Sequence, residues 1–324
     1  MWRPALPGLV LLLAAATAAA GQDGLSVPLA HPRAPIAAVL DTTWECRGAG
    51  ETLVPVAIDL HPAGSVWGLE ARRHRVWWFA APDAGVRFAG GGEGDAGSGF
   101  ATRIFARSGL KVFTLDPWEA RIDGYDLQGV RETRLDLAAA LEVANQERID
   151  AVDFCLSSSG ELFVLDRTRG RVVQFDDDGR FLRVRADAEV TGARAPIAIE
   201  IDGRGRLFLL ETRPPEIICL ELDGRIEHRA IPTDGGAPLP VSLAVDAWGN
   251  AFVGDRRGGC VRVVPEGETP GWSITVPDHA LQPTELATDG ARLLVADASG
   301  KKIWVFVLDY VPRETVRPAS ETEP

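Results

Sequence analysis

The stretch that decides the fold runs from Leu162 to Gly179 and reads LFVLDRTRGRVVQFDDDG. An apolar run ends at the acidic residue Asp166, four residues follow, and a second apolar run leads into a turn that ends in glycine. Two short apolar runs with turn residues between and after them are typical of a β-hairpin. We therefore interpret this stretch as two antiparallel strands followed by a tight turn.

The same pattern occurs six times along the chain. Each copy has an acid, four residues, a usually charged position, a Val or Ile and, three positions later, a large apolar residue. The acids are Glu70, Asp116, Asp166, Glu211, Asp255 and Asp297, and successive acids are 46, 50, 45, 44 and 42 residues apart. A period in this range predicts a propeller or solenoid. One further strand-like run before each hairpin and one after it give four strands per unit, as in a propeller blade. The sequence thus predicts an all-β fold, a six-bladed β-propeller of four-stranded antiparallel blades.

Two motifs resemble those of the NHL-repeat family of six-bladed β-propellers. One is the D-x4-R-V-x-x-F core of Asp166, Arg171, Val172 and Phe175, and the other is the VD-x-x-G-N turn from Val245 to Asn250. The resemblance covers about residues 54 to 310. It implies a fold and leaves the function open, because the matching positions build blades.

The sequence divides into four segments. Residues 1–20 have a positive start, a short apolar run and small residues before a cleavage point, which predicts a secretory signal peptide. Residues 21–53 form an N-terminal extension, residues 54–314 the propeller and residues 315–324 a polar tail that we expect to be disordered. The ring-closing outer strand of the last blade could come from 36–40 or from 310–316. The one helix-like stretch, 138–146, is an expected insertion between blades two and three.

Composition narrows the function classes. The formal net charge of −12 argues against a nucleic-acid-binding protein, which normally has a strongly basic patch. No apolar run beyond the signal is long enough for a membrane span. We expect a secreted or periplasmic protein that is a monomer and binds a protein, an anionic glycan or a small molecule.

The chain has four cysteines, and an even number of cysteines in an exported protein is typical of disulfide bonding. The repeat register offsets Cys219 from Cys260 by three residues, or about 10 Å of strand, which is too far for a bridge between them. Cys155 is expected to be a small buried apolar residue. Cys46 is the best candidate for any disulfide.

The loops after the repeated acids concentrate positive charge. Arginine suits the capture of carboxylates and phosphates, so this loop face is a candidate site for an anionic ligand or partner. Trp118, in one of these loops, is a candidate exposed aromatic. The candidate ligand-binding residues are Arg72, Arg73, His74, Trp118, Arg167, Arg169, Arg256 and Arg257. The alternative is that the arginines pair with the acids of their own loops.

A second hypothesis is enzymatic. Some six-bladed propellers are metal-dependent lactonases or esterases, and Glu200, Asp202 and Asp246 are candidate ligands for one divalent cation such as Ca²⁺. Glu200 interrupts the apolar run IAIEID, so it must be paired, protonated or metal-bound. Asp202 and Asp246 could instead be turn acids that accept backbone N–H groups. We favour a binding or scaffold module without a cofactor, with the metal-dependent hydrolase as the alternative.

Overall fold

The structure is a computed structural model that describes residues 33–48, 51–70, 75–79, 87–88, 100–107, 111–267, 270–299 and 301–312. The predicted signal peptide and C-terminal tail lie outside these residues. So do three of the candidate ligand-binding residues, Arg72, Arg73 and His74.

The chain folds into six four-stranded antiparallel sheets, which confirms the predicted propeller. Before the first blade come β1 (Arg33–Glu45), β2 (Arg47–Gly48) and β3 (Glu51–Thr52). Blade one is β4 (Pro55–Leu60), β5 (Val66–Glu70), β6 (Val76–Phe79) and β7 (Arg87–Phe88). Blade two is β8 (Arg103–Phe105), β9 (Val112–Asp116), β10 (Arg121–Tyr125) and β11 (Arg131–Asp136). Blade three is β12 (Ala151–Leu156), β13 (Leu162–Asp166), β14 (Arg171–Phe175) and β15 (Phe181–Ala186).

The remaining blades follow the same plan. Blade four is β16 (Pro196–Ile201), β17 (Leu207–Thr212), β18 (Pro215–Leu220) and β19 (Ile226–Ala230). Blade five is β20 (Pro240–Val245), β21 (Ala251–Asp255), β22 (Cys260–Val264) and β23 (Trp272–Ile274). Blade six takes β24 (Pro283–Thr288), β25 (Arg292–Asp297) and β26 (Lys302–Pro312) from the end of the chain.

The fourth strand of blade six is β1, which comes from the other end of the chain. It pairs antiparallel with β26 along its whole length, from Arg33 opposite Pro312 to Glu45 opposite Lys302. Tyr310 lies inside β26 and does not start a separate strand. The blade therefore joins both ends of the described chain and closes the ring.

The helix α1 (Leu137–Val143) lies between blades two and three, where the helix-like stretch was predicted. Asp136 caps it by accepting a hydrogen bond from the backbone N–H of Ala139 at 2.9 Å. The short helix α2 (Ala188–Thr191), which the sequence analysis missed, precedes blade four. Among the described residues, no helix has the length and apolar character needed to cross a membrane.

The acid that defines the repeat is a structural residue. In blade three, Asp166 is fully buried and accepts backbone N–H bonds from Arg169 in its own loop and from Asp150, just before the innermost strand. Asp255 does the same in blade five, with Gly258 and Leu239 as its donors. In blades two to six, where the loop after the acid is described, each acid thus ties that loop to the connection between blades, which is why the motif recurs.

Apolar side chains pack between neighbouring blades. One cluster joins Leu115 of blade two, Phe154 of blade three and Leu209 of blade four, and another joins Trp77 of blade one to Ile303 of blade six. The four cysteines are buried and unpaired, so Cys46 forms no disulfide with the other three.

Candidate functional site

The six innermost strands stand next to one another around a central channel. On one face, a turn joins each innermost strand to the second strand of its blade; we call this the turn face. The acid-bearing loops lie on the opposite face, which we call the loop face. The two faces carry different sets of charged and polar side chains.

Two arginines of blade two fill the channel. The Nη2 of Arg107 donates a hydrogen bond to Glu200 Oε2 of blade four at 2.5 Å, and its Nε donates to Asp59 Oδ2 of blade one at 3.4 Å. The Nε of Arg103 lies 3.4 Å from Asp153 Oδ1 of blade three. We call Arg107, Arg103 and their carboxylate partners the channel layer; its members are Asp59, Arg103, Arg107, Asp153, Glu200 and Glu285.

The channel layer also bonds to the backbone of adjacent blades. Asp59 accepts the N–H of Ala106 at 2.8 Å, and Asp153 accepts the N–H of Ile199 at 2.9 Å. The Nη1 of Arg103 lies 3.8 Å from Glu285 Oε2 of blade six. Five of the six blades therefore meet in one network of charges.

Burial changes the acidity of this layer. It raises the pKa of Glu200 to about 7, even though Arg107 opposes the change, and raises the pKa of Glu285 to about 8 against the effect of Arg103. It also raises the pKa of Asp153. Burial lowers the pKa of the Arg107 guanidinium, but Glu200 and Asp59 outweigh it, so that this pKa is raised and Arg107 stays charged. Glu200 is thus paired, one of the three states expected from its place in an apolar run.

Above the channel layer, a cavity of about 1210 Å³ opens on the turn face; we call it the funnel. Turn residues of all six blades line it, and Phe105 and Arg107 lie at the boundary between the funnel and the channel layer. Small-molecule sites typically have volumes of roughly 300–1,000 Å³, so the funnel can hold a ligand of ordinary size.

Most acids of the funnel already have their full set of hydrogen bonds. Asp202 accepts two backbone N–H bonds on Oδ1 and the Nε of Arg206 on Oδ2 at 2.7 Å. Asp246 likewise accepts two backbone bonds on Oδ1, and its Oδ2 accepts bonds from Asn250 and Tyr310. Both are turn acids, as the simpler of the two interpretations held.

His61 occupies the same turn position in blade one. Its Nδ1 accepts the backbone N–H of Ala63 at 3.0 Å, which is the bond that Asp202 and Asp246 make with Oδ1 in their turns. A neutral imidazole that accepts on Nδ1 has its proton on Nε2. The His61 side chain lines the funnel, its residue is 4% exposed, and its Nε2 has no hydrogen-bond partner among the described residues.

Arg107 occupies the equivalent position in blade two. Its Nε and Nη2 are bound to carboxylates, and the Nη1 makes no hydrogen bond with any described residue. About 23% of the side chain is exposed, and the guanidinium carbon lies 5.0 Å from the centroid of the Phe105 ring. His61 and Arg107, which occupy the turn position of Ser157, Asp202, Asp246 and Asp289, therefore supply hydrogen-bond donors from adjacent blades that no described residue accepts.

The structure does not gather Glu200, Asp202 and Asp246 into a metal site. Glu200 is in the channel layer with Arg107, whereas the two aspartates are in separate turns. In the described part of the chain, the one group of metal-ligating side chains whose ligand atoms lie within 4.8 Å of one another is Cys219, Glu221 and Glu227. The buried arginines of the same blade, Arg206 and Arg229, already bind these two glutamates at 3.2 and 2.8 Å.

The candidate arginines of the loop face have local partners. Arg167 lies 3.3 Å from Asp150, and Arg169 donates to Glu147 at 2.6 Å. Arg256 and Arg257 each donate to a backbone carbonyl, that of Pro283 at 3.3 Å and that of Ala237 at 3.0 Å. These four arginines come from two blades, three and five, and their bonds stay within or next to their own loops.

Trp118 is also on the loop face and is 83% exposed. Asp116 accepts its backbone N–H at 3.0 Å and that of Glu119 at 3.2 Å, so that the turn presents the indole on a fixed backbone.

Three residues on the loop face, His279, Asp297 and Ser299, have the residue types of a serine-hydrolase triad but not its geometry. The Nε2 of His279 lies 2.7 Å from Asp297 Oδ2 and 3.5 Å from the Oγ of Ser299. A relay needs the acid and the serine on opposite ring nitrogens, whereas here both contact the same one. We interpret this cluster as the support of the repeated acid Asp297.

Comparison with known proteins places the fold. No protein-family model and no curated protein matches the chain. Solved structures do: a streptogramin B lyase has 13% identity and a TM-score of 0.57 over 83% of this chain and 98% of its own. Virginiamycin B lyase from Staphylococcus aureus has 14% identity and a TM-score of 0.56 over 85% and 89% of the two chains. A chain of the nidogen/laminin complex has 14% identity and a TM-score of 0.52 over 74% and 93%.

At these identities the similarity shows the fold alone. The chain is a six-bladed β-propeller, a fold that is consistent with a binding or scaffold module. Its particular features are a channel layer of buried charges and a funnel whose described wall includes the unpaired donors of His61 and Arg107.

Proposed function

We propose that this protein is a binding module that holds a small molecule in the funnel of its turn face. The observation that carries the proposal is the Nε2–H of His61, a buried donor without a partner at the wall of a cavity of about 1210 Å³. Leaving such a donor unsatisfied costs about 1–3 kcal/mol, which a ligand oxygen would recover. The exposed part of Arg107 supplies a second donor from the next blade.

The replacement His61→Asn tests the proposal with little risk to the fold. An asparagine Oδ1 can accept the Ala63 N–H, as the aspartates of blades four and five do in their turns, but it removes the Nε2–H. The matched control is His228→Asn, since His228 is on the outer strand of blade four and is outside the funnel.

The experiment is a ligand-observed NMR screen of small polar compounds against the purified protein and both variants. We expect hits that bind the wild type and the His228→Asn protein equally and bind the His61→Asn protein at least tenfold more weakly, with unchanged melting temperatures. Hits that bind the His61→Asn protein with full affinity, or no hits from a broad library, would contradict the proposal.

A second candidate function is recognition of an anionic glycan or protein partner by the loop face. The exposed indole of Trp118 supports it, as do the partly exposed side chains of Arg167 and Arg169. Immobilised heparin is a suitable probe. We expect retention on heparin to fall with salt and to be weaker for a Trp118→Ala/Arg167→Ala/Arg169→Ala protein than for an Arg180→Ala control. Equal retention of these two variants would contradict this function.

Three further properties belong to the proposal. They are membership of the NHL-repeat family, export by a cleaved signal peptide to the periplasm or beyond, and a monomeric state. The motif of Asp166, Arg171, Val172 and Phe175 supports the first, and the composition of residues 1–20 supports the second.

A further inference from the structure

We infer that the funnel selects an uncharged ligand that presents acceptor oxygens, such as carbonyl or hydroxyl groups, to His61 and Arg107. This inference rests on the proposed function and names the chemical class of its ligand. It differs from the anionic ligand that the arginine content of the loops suggests. The reason is the charge beneath the funnel.

An anion would find no uncompensated positive charge at the funnel floor. Arg107 lies 2.5 Å from Glu200 and 3.4 Å from Asp59, so at least one negative charge balances it even when Glu200 holds a proton. The channel layer as a whole has two arginines against four carboxyl groups. An anion placed on Arg107 would repel these carboxylates in a site with little water to screen them.

The arginines of the funnel wall are also balanced. Arg292 donates to Asp289 at 2.7 Å through its Nη2, and the Nη1 of Arg204 lies 4.0 Å from Glu266. Counted with Arg107, the lining of the funnel has three arginines and three aspartates, so its formal charges balance.

A cation would find the carboxylates of the described funnel residues largely occupied. Asp202 and Asp246 already accept three and four hydrogen bonds, and Asp289 accepts four from Ala291 and Arg292. A carboxylate offers about four acceptor sites in all. Among the described side chains of the funnel, the groups that make no hydrogen bond include His61 Nε2–H, Arg107 Nη1 and the guanidinium of Arg204, and all of these are donors. The match is therefore an acceptor without a full charge.

His61 and Arg107 lie in neighbouring parts of the funnel wall. Arg107 is bound to Asp59, which is two residues before His61 in the chain. Neutral sugars and amides or esters of small acids present several uncharged acceptor oxygens, so they are the expected ligand classes.

Matched pairs of probes that differ only in charge test this class. We choose glucuronamide with glucuronate and trimethyl citrate with citrate, measured by ligand-observed NMR at constant ionic strength. In each pair we expect the neutral member to bind about tenfold more tightly than the anion. At pH 8, where most Glu200 side chains are ionised, the variant Glu200→Gln removes one balancing negative charge and should reduce this preference at least threefold. Glu132→Gln, on the outer strand of blade two, should leave it unchanged.

The outcomes separate the two proposals. Preference for the anions, with binding that still depends on His61, would overturn the inference and leave the binding module in place. A neutral preference that Glu200→Gln does not alter would also overturn it, because the channel layer would not be its cause. Binding of either class that is indifferent to His61→Asn would contradict the proposed function itself.

Discussion

Arg107 of blade two donates a hydrogen bond to Glu200 of blade four across the central channel, at 2.5 Å. The two residues are 93 positions apart and belong to blades that are not neighbours in the ring. The channel of this propeller is therefore closed by charged side chains that link its walls. Both the stability of the ring and the polarity of the funnel depend on this pair.

The first prediction concerns the loss of Arg107. Replacement by leucine leaves Asp59 and Glu200 buried without their cation, and breaking a buried ion pair from one side typically costs about 3–5 kcal/mol. We expect the free energy of unfolding, measured with urea, to fall by about that amount. Arg180→Ala, at an arginine that is 75% exposed, should change it by less than about 0.5 kcal/mol.

A double variant separates charge from packing. In Arg107→Leu/Glu200→Leu the second leucine removes one of the two carboxylates left unpaired, so part of the lost stability should return. The double variant could instead be less stable than Arg107→Leu, by as much as a second substitution in the core costs. The loss of stability would then come from packing and not from the ion pair.

The second prediction is a fall in stability as the pH rises towards 8. The pKa of Glu200 is raised to about 7 and that of Glu285 to about 8, both from 4.5. Between pH 4.5 and these raised pKa values, the folded protein holds protons that the unfolded chain has lost. The free energy of unfolding therefore decreases as the pH increases. We expect Glu200 and Glu285 to contribute less to the melting temperature at pH 8 than at pH 5.

Amide variants identify the groups responsible. In Glu200→Gln/Glu285→Gln the decrease between pH 5 and pH 8 should be smaller than in the wild type, and Glu132→Gln should retain it. The assignment is wrong if the double variant and the wild type have melting curves with the same dependence on pH.

The third prediction concerns the cysteines. All four are buried and unpaired, and burial raises the pKa of Cys46 and of Cys219 to about 12, so that neither forms a reactive thiolate near neutral pH. We expect the native protein to resist iodoacetamide at pH 8 and all four thiols to be modified in guanidinium chloride. Mass spectrometry counts the adducts. Fewer than four after unfolding without reductant would indicate a disulfide.

The fourth prediction concerns ring closure. β1 covers the outer edge of β26, and Trp44 packs its indole against Phe79 of blade one with ring centroids 5.4 Å apart. We expect a chain that starts at Arg33 to unfold cooperatively and one that starts at Cys46 to melt at a lower temperature or to aggregate. Equal melting temperatures would show that β1 is dispensable.

The repeated acid made the fold predictable, because Asp166 and its equivalents make corresponding backbone bonds in blades two to six. The channel layer was harder to foresee. Glu200 stood out as an acid in an apolar run, but its partner Arg107 lies in the turn that follows the three-residue strand β8. Pairing across the ring depends on the tertiary structure and has no local signal.

His61 could have been found from the sequence. Alignment of the turns after the innermost strands places it with Asp202, Asp246 and Asp289, as the residue that replaces an acid. The loop-face arginines illustrate the opposite case. Their number suggested a site, but the local partners of Arg167 and Arg169 appear only in the folded chain.

The most direct test of the funnel as the binding site is a long-range ¹H–¹⁵N spectrum of protein labelled at histidine, in which His61→Asn identifies the signals of His61. We predict that Nδ1 carries no proton and that Nε2 does, and that the Nε2 and Nε2–H signals shift when a compound selected by the screen is added. A ring with its proton on Nδ1 would contradict this prediction. So would compounds that shift the indole signal of Trp118 and leave His61 unchanged.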